Sequence, residues 1–213
     1  GGAGVHGIQL EIREYIQKNM GIYILIVILF SAGVLAGAFL VRGLEESQNE
    51  ALQQYFDLFI SSCLENQALE GRAILGQSVK INFQHLFLIW ISGLFIFGFP
   101  VTAFLVSWRG FSVGFTVGFL VQRSALRGVL FALGSILPHS LLIIPALIVI
   151  SVTGFSFSWL RFRSYLEKRS YPARKHLFPY TAITFLLGLL MMAGCLVEAY
   201  ISPVFIRLLV PLL

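Results

Sequence analysis

Long uncharged apolar runs alternate along the chain with short charged stretches, and the lengths of those runs predict the elements. Met20 to Val41 carries no charge, and its 22 residues, at 1.5 Å per residue, match a hydrocarbon core of about 30 Å. Just before it, Ile8, Ile12, Tyr15 and Ile16 recur at helical spacing opposite Glu11, Arg13, Glu14 and Lys18, which suits a helix lying along the membrane surface. Leu86 to Val106 reads as the second span, with Pro100 as a kink that neighbouring helices cover. A third segment from Gly110 reaches only Val121 before Gln122, Arg123 and Arg127 interrupt, roughly 20 Å of helix where a span needs about 30 Å.

Gly128 to Leu160 is uncharged apart from the titratable His139, and as one helix it would measure about 50 Å, too long for one crossing. A break is therefore predicted between residues 136 and 146, where Pro138 removes a backbone donor and Pro145 repeats the insult. On that reading residues 124 to 137 form a short helix that crosses or re-enters, and residues 140 to 160 the fourth span. Irregular backbone at that depth survives only when covered by protein or lining water, so Pro138, His139, Ser140 and Pro145 are expected inside the bundle. Tyr180 to about Ile201 makes the fifth span, and a short apolar tail with Arg207 follows Pro203.

The polar stretches set orientation. Arg42 to Gln84 holds six of the ten acidic residues, and Leu52, Tyr55, Phe56, Phe59, Ile60 and Cys63 recur there at three- and four-residue steps. An amphipathic helix is predicted from about Leu44 to Leu64, its apolar stripe on the bilayer surface or the bundle, or else open to a partner. Arg161, Arg163, Lys168, Arg169, Arg174 and Lys175 oppose a single Glu167, which by the positive-inside rule marks residues 161 to 179 as cytoplasmic and residues 42 to 84 as extracytoplasmic. Five crossings then put the amino terminus and Arg109 inside, and Arg123, Arg127 and the carboxyl terminus outside. The chain divides into residues 1 to 19, a tail plus interfacial helix, and residues 20 to 213, one transmembrane domain. The opening GGAGVHG lacks an initiator Met and a cleavable signal pattern and is open to being non-native.

Composition strengthens the membrane assignment: 57% of the residues are hydrophobic and 12% charged. The expected fold is all-α, a polytopic membrane helical bundle of about five transmembrane helices with a proline-broken or re-entrant segment and an extracytoplasmic amphipathic helix. The net charge of +5 comes from residues flanking apolar segments, so it speaks for orientation and against nucleic acid as a partner. Cys63 and Cys195 stand far apart and offer no disulfide framework and no paired metal spacing.

Small residues predict where helices approach closely. Gly33 and Gly37 lie four apart in the first span, and Gly110, Gly114 and Gly118 follow the same spacing in "GFSVGFTVG". Chemistry is harder to find. His139 and Ser140 are neighbours and so point about 100° apart on a helix, with no acid in their span to orient the imidazole. His139 has two readings, a polar group satisfying carbonyls freed by Pro138, or a proton or ligand site. Glu198, near the outer end of the fifth span, reads as an interfacial group. No catalytic residues, metal ligands or cofactor motif are assigned, and there is no phosphate loop and no internal repeat of the kind paired transporter halves show.

The polar-loop layout after the first span, "RGFSVGFTVGFL" and "RGVLFALGSILPHSLLIIPALIV" resemble the stage II sporulation protein M family, over nearly the whole chain from Ile8 to Leu213. The wider family often has Pro-His-Gly followed by a Glu, whereas this sequence matches Pro138 and His139 but carries Ser140 and Ile143. "LLIIPA" at Leu141 to Ala146 is similar to the sporulation-type branch. The resemblance implies a non-enzymatic, multi-pass protein of the cell membrane, at the sporulation septum and the engulfing membrane of the mother cell. It implies as partners stage II sporulation proteins D and P, which remodel peptidoglycan. Partner-contact candidates are Glu45, Glu46, Glu50, Tyr55, Phe56, Asp57 and Phe59. A homo-oligomer stays open, and the alternative function is a permease-like membrane subunit of an export system.

Overall fold

A computed structural model describes residues 19–65, 67–168, 173–202 and 204–205. The interfacial helix expected over residues 8 to 19 lies outside the described residues except for Asn19. Every regular element described is helical: α1 (Met20–Leu40) with a closing turn at Val41–Gly43, α2 (Glu46–Glu65), α3 (Gln67–Leu94), α4 (Phe99–Leu166) and α5 (Ala173–Tyr200). Four stretches are long and apolar enough to cross a bilayer, Met20–Gly43, Phe99–Ser124, Pro138–Leu166 and His176–Tyr200. Their outer faces carry bare apolar side chains such as Phe185 and Leu186, 69% and 67% exposed, which only lipid would cover. The molecule is thus an all-α polytopic bundle.

The largest departure from the sequence-based layout is α4. Its 68 helical residues would span about 100 Å if straight. Instead the helix folds back on itself: the Phe99 amide donates to Ser158 Oγ at 2.9 Å, Val106 packs with Val152, and Leu120 packs with Ala132. The reversal falls at residues 121–128, where a Cβ on Gly128 would strike the Leu120 carbonyl and come within 3.2 Å of Val121 Cα. The expected place of the break, between 136 and 146, is therefore corrected: the contacts put the reversal before it, and both prolines fall within one apolar helical stretch, Pro138–Leu166. A proline removes one donor and crowds one turn, a penalty the flanking helical turns absorb, whereas Gly128 permits the backbone contact that a hairpin demands. Residues 124 to 137 accordingly belong to the reversal and the returning limb rather than to a separate re-entrant helix.

The expected second span, Leu86 to Val106, is also corrected, since a turn at residues 95–98 cuts it in two. Ser158 Oγ donates to the Phe95 and Ile96 carbonyls at 2.8 and 3.2 Å, Ser92 and Thr102 hydroxyls meet at 2.7 Å, and a Cβ on Gly98 would overlap the Ser92 carbonyl. Pro100 is thus no kink but part of the first turn of a new helix, where its missing donor costs nothing. The seemingly short third segment gains residues 99 to 109 and becomes a full-length span. Residues 67–84, expected in the extracytoplasmic loop, instead form the first half of α3, which runs antiparallel to α5 from Ser78 beside Glu198 to Trp90 beside Thr181.

Glycine ridges set the closest contact. Phe30 faces Gly110, Val34 faces Gly114 and Ala38 faces Gly118, so α1 and the first limb of α4 run parallel with the same four-residue step. Gly33 and Gly37 return the contact onto the backbone of Ser107, Phe111 and Phe115. The two small-residue ridges predicted separately are partners of each other, and backbone meets backbone along both.

Candidate functional site

A cavity of about 600 Å³ lies between α3, both limbs of α4 and α5, reaching the surface beside Tyr55 of α2. Its floor is apolar and tightly packed: Ile89, Leu105, Ile143, Ala146, Leu147, Ile150 and Met191 form one buried cluster. Towards the basic end of the bundle the described lining stops at Arg109 and Ile143, where this cluster begins. Its wall is mixed, with Ile74, Ile81, Val113, Ile136 and Ile144 beside Ser78, Arg109, Ser135, His139, Ser140, Glu198 and Ser202.

Helical spacing assembles the polar side. Ser78 and Asn82, four apart on α3, share one face, and Asn82 Nδ2 donates to the Ser78 carbonyl at 2.9 Å and approaches Cys195 Sγ at 3.4 Å. The Ser78 hydroxyl donates to Glu198 Oε2. Arg109 Nη2 donates to Asn82 Oδ1 at 3.1 Å, tying the first limb of α4 to α3. Ser202 Oγ and His139 Nδ1 lie 3.4 Å apart on the far side. Arg109 stands ten residues into the Phe99–Ser124 span, about 15 Å along its axis. It was expected at an inner membrane boundary, and the structure places it at membrane depth, where a charge costs about 3 kcal/mol to insert unless it meets partners.

Among the predicted broken-helix residues, His139 and Ser140 line the cavity, Pro138 is half-buried, and Pro145 is exposed on the outer face, against its expected burial. Glu198, read as interfacial, turns inward. No hydrogen bond joins His139 to Glu198 among the described residues, and no group of three metal-ligating side chains occurs among them. Of the partner-contact candidates, Glu45, Glu46 and Glu50 are exposed. Phe56 is committed to the bundle, packing edge-on to Phe119 at 5.9 Å and beside Leu120 and Ala132. Asp57 Oδ1 pairs with Arg123 Nη2 at 2.5 Å, and the Arg123 guanidinium also lies 5.0 Å from the Phe56 ring centroid. Arg123 thus sits beside α2, at the same end of the bundle. Tyr55 is exposed at the cavity mouth, and the Phe59 side chain lies outside the described residues.

Sequence reasoning missed Ser78, Asn82 and Arg109. Their signal was present, as "GFP" at Gly98 to Pro100 is a helix stop followed by a start, and reading it so would have moved Arg109 into the middle of a span.

Fold and cavity together define a class, that of polytopic α-helical membrane proteins with a chamber lined by charged side chains in the bundle. The sequence model described as Stage II sporulation protein M matches residues 26–203, and the chain belongs to that family. It is a membrane protein of the sporulation type by family. An uncharacterized protein of Methanocaldococcus jannaschii is 24% identical over 181 residues, covering 84% of this chain and 93% of the relative. No solved structure matches the chain.

Proposed function

We propose that the chain is a non-enzymatic membrane scaffold of the sporulation engulfment machinery, holding the peptidoglycan-remodelling stage II sporulation proteins D and P at the septal membrane of the mother cell. The observation that carries this reading is the packed apolar cluster at the inner end of the cavity. Seven packed apolar residues lie between the cavity and the basic face, an arrangement that suits anchorage better than passage. The exposed carboxylates at the start of α2 supply an accessible surface on the opposite end. With Phe56 and Asp57 already engaged, the contact with protein P falls on Glu45, Glu46 and Glu50. Reversing Glu46 and Glu50 to Lys is expected to reduce recovery of protein P in pull-downs while membrane insertion stays intact. Unchanged recovery moves the contact elsewhere.

A permease-like subunit of an export system is the second reading, favoured by Arg109, His139 and Glu198 around one chamber in the bundle. It requires the Leu105–Leu147 floor to open. Solute flux through proteoliposomes of the purified chain, abolished by Leu147→Trp, would establish it over the scaffold.

A further inference from the structure

Arg109 and Glu198 face the same cavity with opposite charge and do not touch. They interact electrostatically, yet the ion pairs within 4.0 Å among the described residues are Arg123 with Asp57 and Arg163 with Glu167. The guanidinium has five N–H donors, of which one reaches a described acceptor, Asn82 Oδ1. Glu198 accepts from Ser78 through Oε2, and its Oε1 has no hydrogen bond to a described residue. A cation with spare donors and an anion with a spare acceptor therefore stand apart across a gap, and for Arg109, ten residues into its span, being left unmatched is expensive.

We propose that this cavity binds the headgroup of a zwitterionic phospholipid, with the phosphate toward Arg109 and the ammonium toward Glu198. Planar guanidinium and phosphate match bidentately, and a primary ammonium carries the donors that the free carboxylate oxygen lacks. A single ligand of that kind satisfies both groups at once, whereas an anionic headgroup without an ammonium would set a negative charge against Glu198. The walls select an amphiphile over a free zwitterion, because Ile74, Ile136 and Ile144 bring apolar surface beside the charges. The volume, about 600 Å³, falls in the range of ligand sites but takes only a headgroup and the first carbons of its chains.

The test uses the full chain purified in detergent, offered phosphatidylethanolamine, phosphatidylglycerol or free phosphoethanolamine, and read by native mass spectrometry and thermal unfolding. Wild-type protein is expected to retain phosphatidylethanolamine about tenfold over phosphatidylglycerol. Glu198→Gln keeps an acceptor for Ser78 and should erase that preference, while Arg109→Gln should lower retention of both lipids. Ile144→Trp fills the chamber without touching a charge and should lower retention equally, so the proposal stays testable if Arg109→Gln fails to fold. Equal retention of the two lipids by wild type, or an unchanged preference in Glu198→Gln, overturns the proposal in favour of a water-filled chamber. Protection by free phosphoethanolamine matching that of the lipid overturns it in favour of a soluble ligand.

Discussion

Adding one methyl group at Gly114 probes the contact on which the bundle's geometry rests. A Cβ there would overlap the Val34 carbonyl oxygen and lie 2.6 and 2.7 Å from the carbonyl carbon and Cα of Val34. Non-bonded carbons settle at about 3.5–4.0 Å, so α1 and α4 must separate by about 1 Å. Gly33, Gly37 and Gly110 make comparably close contacts along the same seam and Gly118 a looser one, so the separation loosens every one of them. A radial gap of that size forfeits a quarter to a half of each dispersion well. Overpacking costs about 1–3 kcal/mol, and the upper end applies here because the obstacle is backbone, which cannot rotate aside. Alanine recovers up to about 1 kcal/mol through its better helix propensity, leaving a net loss of about 2 kcal/mol for Gly114→Ala. Gly118→Ala meets Ala38 Cα at 2.9 Å and should lose less. Gly76→Ala, exposed with nothing within 4 Å of its Cβ, should be neutral or gain up to about 1 kcal/mol. Thermal unfolding of the three purified variants in one detergent measures the order directly. Gly114→Ala as stable as wild type, or Gly76→Ala as damaging as Gly114→Ala, would refute the seam.

The other predictions concern the reversal, the turn and the cover. Pro145→Ala lies on the exposed face of a continuous helix, so stability should hold or rise by up to about 3 kcal/mol, and unfolding of that variant would show the proline to be structurally required. Tyr180→Phe removes a hydroxyl that donates to the Trp90 carbonyl at 2.9 Å in a buried site, and should cost about 1–2 kcal/mol in the same assay. Asp57→Asn should cost under about 1 kcal/mol, because the pair with Arg123 is partly exposed; Phe56→Ala should cost more, about 2 kcal/mol, through lost packing. Hydrogen exchange over residues 46–65 should quicken in the order wild type, Asp57→Asn, Phe56→Ala, and the reverse order would place α2 on electrostatics rather than packing. Cys195, with no exposed surface, should resist maleimide until the protein unfolds.

Apolar length was the readable quantity, and it carried the all-helical membrane bundle, the first and last spans and the glycine ridges. These depend on burial per turn and on side-chain size, both properties of a local stretch. Where the chain reverses was not readable from apolar length. Pro138 and Pro145 advertise a break by removing donors, and yet the turn falls at residues 121–128 and another at 95–98, since Gly128, Gly98 and the Ser92, Thr102 and Ser158 hydroxyls have the partners that make those turns favourable. Misplacing the turn at 95–98 hid Arg109 in a loop, and reading residues 67–84 as loop kept Ser78 and Asn82 out of the bundle. The chamber itself was decided by tertiary structure alone: Ser78, Arg109, His139 and Glu198 come from four helical passes far apart in sequence, and opposite charges converge only once packing fixes which faces look inward.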